Sequence, residues 1–339
     1  MRKTFRPSLL IAVCCLAALL SCDTGRDRIF KKSRILMDTL VTITVVSESN
    51  EKAEKAIDRA FSEIEQIEKL SSFFCPGSDV SRINNAAGIS PATVSPQIID
   101  VLNKAEYVSK TTGGAFDATI GPLISLYDFR RRIRPEEDAI RTNLSLVNYR
   151  DLIINGEKAE VFLKRKAMRL DLGGIAKGYA ADRAAEVLKR DGIRSGLVAV
   201  AGDIRTFGRK PDGSPWKIGI RHPRAKDGED DVMATIELSD MAVSTSGDYE
   251  RFFLSEGIRY HHLLSPVTGH PARGCRSVSV IAGESALADA FATGVFVLGP
   301  EEGMKVLERA GLDGVIVDSL GNNRTTPGIR GKIEVKKAS

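Results

Sequence analysis

An α+β fold, with mainly antiparallel sheets and helices packed on them, is what this 339-residue sequence predicts, and three observations point there. A strand-like segment near the start is followed by two long helical segments in succession. The second half then carries a run of short strand candidates with few helices between them. A doubly wound parallel sheet would need a helix after nearly every strand, and no internal repeat of fixed period suggests a solenoid or propeller.

The elements follow in order. Residues 40–46 alternate apolar and Thr side chains at the period of two that a half-buried strand requires. Residues 51–70 place Ala53, Ala56, Ile57, Ala60, Phe61, Ile64 and Ile67 at helical spacing, which predicts a long amphipathic helix. Ser95-Pro96 signals a second start, since Ser caps and Pro suits the first turn; its apolar face runs through Ile98, Val101, Leu102, Ala105 and Val108 and stops at Gly113-Gly114. Strands are expected at 168–172, 196–201, 216–220, 232–238, 241–245 and 277–282, helices at 176–189, 285–298 and 301–310, and a closing strand at 314–318.

The N-terminus speaks to compartment. Arg2, Lys3 and Arg6 precede an apolar run, 9–20, that is too short to span a bilayer permanently, the pattern of an export signal. The run ends at Leu19-Leu20-Ser21-Cys22, which resembles the lipobox of bacterial lipoproteins and makes Cys22 the expected lipidation site. The expected organisation is a signal peptide over 1–21, a polar lipid-anchored linker over 22–34 and one domain over 35–339. The resemblance implies an inner-membrane lipoprotein facing the periplasm, held to the membrane by its lipid. No other stretch is apolar enough for a span.

Composition is globular, 42% hydrophobic and 27% charged, with a net charge of +5 that includes the basic leader and a C-terminal Lys cluster. Arg130, Arg131, Arg132 and Arg134 form the one dense basic run. No aromatic residues are interleaved with it as in single-strand binders, so nucleic acid is not an expected partner. Cys75 and Cys275 remain once the leader is set aside; their pairing is left open, and neither sits at zinc-ligand spacing with His.

Two constellations carry chemistry. Asp289 and Thr293 stand four residues apart on a small, apolar helix, so both oxygens share a face that would suit a hard cation such as Mg²⁺; a solvated polar face is the commoner arrangement. Asp171-Leu172-Gly173-Gly174-Ile175-Ala176-Lys177-Gly178 runs from a predicted strand through paired glycines into a helix, where free N–H groups and Lys177 would meet a phosphate. It matches neither a Rossmann fingerprint nor a P-loop, and a plain structural turn fits it equally. Further polar loops, Ala201-Gly202-Asp203, Thr245-Ser246-Gly247-Asp248 and His261 to Pro271, follow predicted strands, where sites are commonly built.

These segments, with Ala288-Asp289-Ala290-Phe291-Ala292-Thr293-Gly294, occur in the order seen in the ApbE-like FAD:protein FMN transferases, which the chain resembles from about Ile35 to its end. The resemblance implies a T-fold-like architecture and a reaction in which FAD is cleaved at its diphosphate, AMP leaves, and FMN is joined to a Thr or Ser of an acceptor protein, such as a subunit of a membrane redox complex. It also implies Mg²⁺ on Asp289, Thr293 and the main chain of Gly174 to Ala176, with His262 as general base and Lys177 steadying the phosphates. Met37, Phe74, Ala115, Phe116, Asp117, Asp171 and Leu263 match positions that contact FAD. Asp38 stands where many relatives carry Gly, and Phe74 replaces a polar aromatic. If water took the acceptor's place, the same site would be an FAD pyrophosphatase yielding FMN and AMP. A flavin carrier without chemistry would need neither the metal face nor the base, and a purely structural or adhesive surface lipoprotein would leave these positions without a role.

Overall fold

The computed structural model describes residues 27–225, 231–330 and 333–335; the leader, Cys22 and the first residues of the expected linker lie outside them. The chain opens with β1 (Arg28–Leu36) and β2 (Thr39–Ser47), a hairpin whose turn holds Met37 and Asp38 at φ of 52° and 57°. Then come α1 (Asn50–Ser71), α2 (Asp79–Asn85), β3 (Ala92–Thr93), α3 (Pro96–Thr111), α4 (Gly121–Ile124), α5 (Glu137–Leu144), β4 (Leu152–Asn155) and β5 (Glu160–Leu163). The middle is α6 (Ala176–Arg190), β6 (Ser195–Val200), β7 (Asp203–Phe207), β8 (Trp216–Arg221), β9 (Val232–Leu238), β10 (Ala242–Gly247), β11 (Phe252–Ser255) and β12 (Ile258–His261). It closes with β13 (Cys275–Ala282), α7 (Ser285–Leu298), α8 (Pro300–Ala310), β14 (Asp313–Asp318), β15 (Asn323–Thr325) and β16 (Ile333–Val335).

Eight strands form one sheet in the order β1-β2-β6-β7-β10-β13-β14-β15, and every neighbouring pair is antiparallel. The α+β expectation holds. Alternation along the strands builds two cores, because successive side chains leave opposite faces. Val41, Ile43 and Val45 of β2, Val278 and Val280 of β13, and Ile316 of β14 join the core beneath α1, α3, α6 and α7. Val46, Val243, Ile281, Val315 and Val317 face the other way and meet Trp216, Ile218, Ile236 and Leu238 of the small β16-β9-β8 sheet. The large sheet is thus covered on both faces, by helices and by a second sheet.

Two expectations are corrected. Residues 28–34, assigned to the linker, form most of the edge strand β1, which is exposed along most of its length and pairs with β2 from Arg28 to Leu36. Its Lys, Arg and Ser content is what blunts an edge strand, so polarity there does not signal a linker. Residues 168–172 are extended but are not a strand of any sheet: Arg169 makes a single parallel bridge to Ile120, and Leu170 is held through its N–H and C=O by the Asn84 side chain of α2. An amide side chain supplies both partners that a neighbouring strand would have given. Cys75 is exposed and Cys275 is buried in β13, and both are free thiols.

The contact that sets the geometry of the site is the crossing of α6 and α7. A Cβ at Gly178 would lie 2.2 Å from the Ser285 carbonyl oxygen and 2.9 Å from the Ala286 nitrogen, so only glycine admits this approach. Asp182, one turn on, accepts the N–H groups of Ser285 and Ala286, each at 2.9 Å, and satisfies the buried start of α7. Gly178→Ala is therefore expected to lower stability by about 2 kcal/mol or more, through forced separation of the two helices, as read from the urea midpoint; an unchanged midpoint would show that the crossing is not tight.

Candidate active site

Asp289 is buried on the first half of α7, and its Oδ2 accepts the Gly178 N–H at 3.1 Å. The start of α6 therefore donates one of its free backbone groups to a carboxylate from the neighbouring helix. Thr293, one turn along the same face, has its Oγ1 3.2 Å from the Ser246 hydroxyl at the end of β10. The glycine turn closes against it, since a Cβ on Gly174 would stand 3.2 Å from both Thr293 Oγ1 and the Phe116 ring. The two constellations found separately in the sequence, the α7 pair and the α6 turn, face one another.

Lys177 lies between two buried carboxylates. Its ammonium is 2.5 Å from Asp203 Oδ2 and 3.7 Å from Asp289 Oδ2, and the Ser244 hydroxyl donates to the other Asp203 oxygen. Burial pulls the lysine down, and the charges of Asp203 and Asp289 more than offset this, holding it above its ordinary value. Asp289 moves the other way from a usual carboxylate. Burial and the negative charge of Asp203 push it up to about 7, against the opposing pull of Lys177 and the Gly178 N–H. Lys177 and Asp203 form the close ion pair, and Asp289 is the carboxylate left short of positive charge.

His262 follows β12 directly. Its main-chain N–H donates to the Arg251 carbonyl at 3.1 Å, while its Nδ1 is buried without a hydrogen-bond partner. Burial, then the charges of Arg251, His261 and Lys177, push the imidazole down to about 3, so the ring is neutral and keeps an accepting lone pair. Its neighbour is engaged differently. His261 is buried, with Nε2 2.7 Å from the Ala272 carbonyl and Nδ1 accepting the Leu263 N–H.

The residues matched to FAD contacts are placed in different ways. Phe116 and Leu263 are buried beside the site, Phe116 against Gly174 and Gly294 and Leu263 in the helix-side core. Asp171 accepts the Gly173 N–H at 2.8 Å; burial raises it, and the Gly173 N–H and Arg251 oppose that rise. Asp117, beside Ala115 and Phe116, is turned inward: it accepts the N–H and hydroxyl of Thr119 and the N–H of Tyr149, which makes it the organiser of its loop. Met37 sits in the β1–β2 turn, at the sheet end where the Leu40 carbonyl accepts the Ala201 N–H. Phe74 stands apart, 86% exposed between α1 and α2, with its ring edge-on to Phe73 at 5.1 Å.

A hard divalent cation fits the donor set. Among the described residues no three His, Cys, Asp or Glu side chains gather into a cage, and Asp289, Thr293 and the carbonyls of Gly174 and Ala176 offer oxygen only. The unmet negative charge at Asp289 is where positive charge is wanted, and Lys177 supplies part of it.

The sequence profile of the ApbE family matches residues 37–316. The chain belongs to that family. It is 32% identical over 348 aligned residues to a Treponema pallidum (strain Nichols) protein described as FAD:protein FMN transferase, covering 97% of this chain and 95% of that one. Its fold is similar to the crystal structure of the ApbE protein from Thermotoga maritima, with a TM-score of 0.83, 32% identity, and coverage of 90% of this chain and 99% of that one. It is similar also to the apo form of the Pseudomonas stutzeri flavinyl transferase ApbE, with a TM-score of 0.80, 31% identity, and coverage of 91% and 98%.

Asp203, Ser244, Ser246, Asp182 and Arg251 escaped assignment from the sequence, although Asp203 and Ser246 lie in polar loops singled out there and Ser244 adjoins one. Sequence carries no signal for Asp203: it opens β7 directly after a tight turn with Ala201 at φ 53°, where an Asp is ordinarily solvated, and only the fold buries it. Lys177→Met should lower stability by about 3 kcal/mol, because it leaves two buried carboxylates without their cation. Adding Asp203→Asn should restore at least about 1 kcal/mol of that loss. A double-mutant cycle in urea tests the pair, and strict additivity would remove the coupling.

Proposed function

We propose that the chain is a FAD:protein FMN transferase working with Mg²⁺, and that it acts as an inner-membrane lipoprotein facing the periplasm. The observation that carries the transferase reading is the meeting of the Asp289–Thr293 face with the glycine-lined start of α6, with an unpartnered neutral histidine within electrostatic reach of Lys177. Family membership and the similarity to proteins described as FAD:protein FMN transferase support it.

The chemistry is displacement at phosphorus. The hydroxyl oxygen of an acceptor Thr or Ser forms a bond to the phosphorus of the FMN half of FAD, the bond from that phosphorus to the bridging oxygen breaks, and AMP leaves with that oxygen. The acceptor's proton passes to His262, whose neutral ring can take it. Lys177, with the N–H groups at the start of α6, holds the diphosphate in line. Asp289, Thr293 and the main chain of Gly174 and Ala176 would hold Mg²⁺, which supplies charge neutralisation at the diphosphate when bound. Phe116 and Leu263 exclude water from that end of the cleft. Asp171, Met37, Ala115 and exposed Phe74 remain the residues proposed to touch the flavin and adenosine portions. Asp117 acts on this region through the shape of its loop.

FAD, Mg²⁺ and an acceptor protein together test the reading. AMP with covalent flavin fluorescence on the acceptor is the expected result; AMP alone would reassign the enzyme as a pyrophosphatase, and neither product would reduce it to a carrier. In that assay Asp289→Ala should abolish AMP release with the fold intact, and His262→Ala should lower transfer by about a hundredfold or more with FAD still bound. Unchanged turnover in either variant removes the role given to that residue. The anchor is tested separately. Cells fed labelled palmitate should label the wild-type protein and leave Cys22→Ser unlabelled; a wild-type protein that takes up no label would overturn the lipid tether.

A further inference from the structure

Beside the β11–β12 hairpin two cavities, of about 220 Å³ and about 110 Å³, share Ile258, Arg259 and Arg273 as walls. The larger is completed by Arg224, Arg276 and Asp248 and reaches His261; the smaller is completed by Arg134, Glu137 and His270. The three shared walls place the two cavities side by side along the hairpin, as two halves of a groove.

Its charge is out of balance. Asp248 is buried and binds Arg224 bidentately at 2.6 and 2.7 Å, with Arg259 Nε 3.8 Å from the same carboxylate. Arg276 Nε donates to the Ser319 carbonyl at 3.1 Å, and Arg273 is exposed without an ion pair among the described residues. In the larger cavity four guanidiniums therefore face one carboxylate. In the smaller, Glu137 is 3.3 Å from His270 Nε2, and Arg134 donates to the Tyr260 hydroxyl at 3.3 Å with Glu256 and Glu136 near enough to act on its charge, so the surplus of positive charge lies in the larger cavity. Several of these side chains are already held in place. Arg259 lies over the Phe252 ring at 3.8 Å, and Asp248 fixes Arg224, so the groove presents planar donors that lose little freedom on meeting an anion.

We propose that this groove holds an acidic stretch of the acceptor polypeptide and so delivers its hydroxyl to the site; the inference rests on the transferase reading. Charge complementarity selects the occupant, because an excess of fixed guanidiniums calls for carboxylates. Position selects it too. The larger cavity is walled by His261, and the next residue along the chain is His262, the proposed proton acceptor. A small free anion would fill one cavity, whereas a chain with spaced carboxylates spans both. Exposed Leu254 and Phe252 on the same hairpin offer apolar contact beside the charged track.

Two fluorescein-labelled synthetic peptides test this, equal in length, each with one Thr, one carrying Glu and the other Gln at the same flanking positions. They are titrated by anisotropy against the full chain loaded with FAD. The Glu peptide should bind about tenfold tighter, and lose that preference between about 50 and about 300 mM salt. Arg273→Glu and Arg134→Glu, both surface charges away from the catalytic cluster, should each weaken the Glu peptide about tenfold while FAD affinity, read from flavin fluorescence, stays unchanged. Equal affinity for the two peptides, or an Arg273→Glu variant that binds the Glu peptide normally, overturns the proposal. Failure of the wild-type chain to release AMP from FAD with Mg²⁺ and an acceptor overturns the transferase reading instead, and the two failures are read in separate assays.

Discussion

Two carboxylates buried around one ammonium are the constraint on which the site depends. Removing Asp203 and Asp289 from water is unfavourable, and one lysine cannot compensate both equally, so the geometry gives Lys177 to Asp203 and leaves Asp289 with a backbone N–H and a distant share of the same charge. That asymmetry is built by packing. Gly178 lets α6 and α7 touch, Asp182 caps α7 from α6, and the two contacts together fix where Asp289 can reach. A site lacking positive charge at a rigid carboxylate is suited to a divalent cation, because little reorganisation is needed when that charge arrives.

The sheet supplies the other half of the constellation. β6, β7 and β10 are neighbours, so the turn after β6 brings Asp203 beside Ser244, and two residues further along β10 Ser246 meets Thr293. Because both faces of the sheet are covered, the strands have little freedom to slide: a slip of one residue would exchange the helix-side core for the one shared with the β16-β9-β8 sheet. Register therefore protects the alignment of hydroxyl and carboxylate groups across helices and strands that are far apart in sequence.

Much of this was legible locally. The burial of Ala53, Ile57, Phe61 and Ile64 on α1, the Pro-led start of α3, and the Asp289–Thr293 face each follow from a period that a short window contains. What was missed depends on partners that sequence does not place. The polar edge strand β1 owes its existence to β2 rather than to its own pattern, and the extended residues around Leu170 look like a strand until Asn84 is seen to occupy the neighbour's role. Asp203 is an ordinary turn acid by sequence and a buried counterion by structure. The basic run is exposed at Arg130, Arg131, Arg132 and Arg134, and only the fold brings Arg134 beside Arg259 and Arg273, more than a hundred residues away, in the wall of one cavity.

The histidine completes the argument about selectivity. A ring pushed down to about 3 by burial and by Arg251, His261 and Lys177 is a weak base toward anything that arrives alone, including water. On the transferase reading, the diphosphate of FAD brings negative charge close to the lysine and arginine that hold the ring low, and so strengthens the base only when the substrate is in place. Acceptor and water would then compete for the same activated site, and proximity decides between them. On that reading a hydroxyl held beside His262 by contacts elsewhere on the acceptor reaches an effective concentration far above that of free water. On that reading the chemistry at phosphorus is common to transfer and hydrolysis, and the choice of product would be set outside the catalytic cluster, on the surface proposed to receive the acceptor.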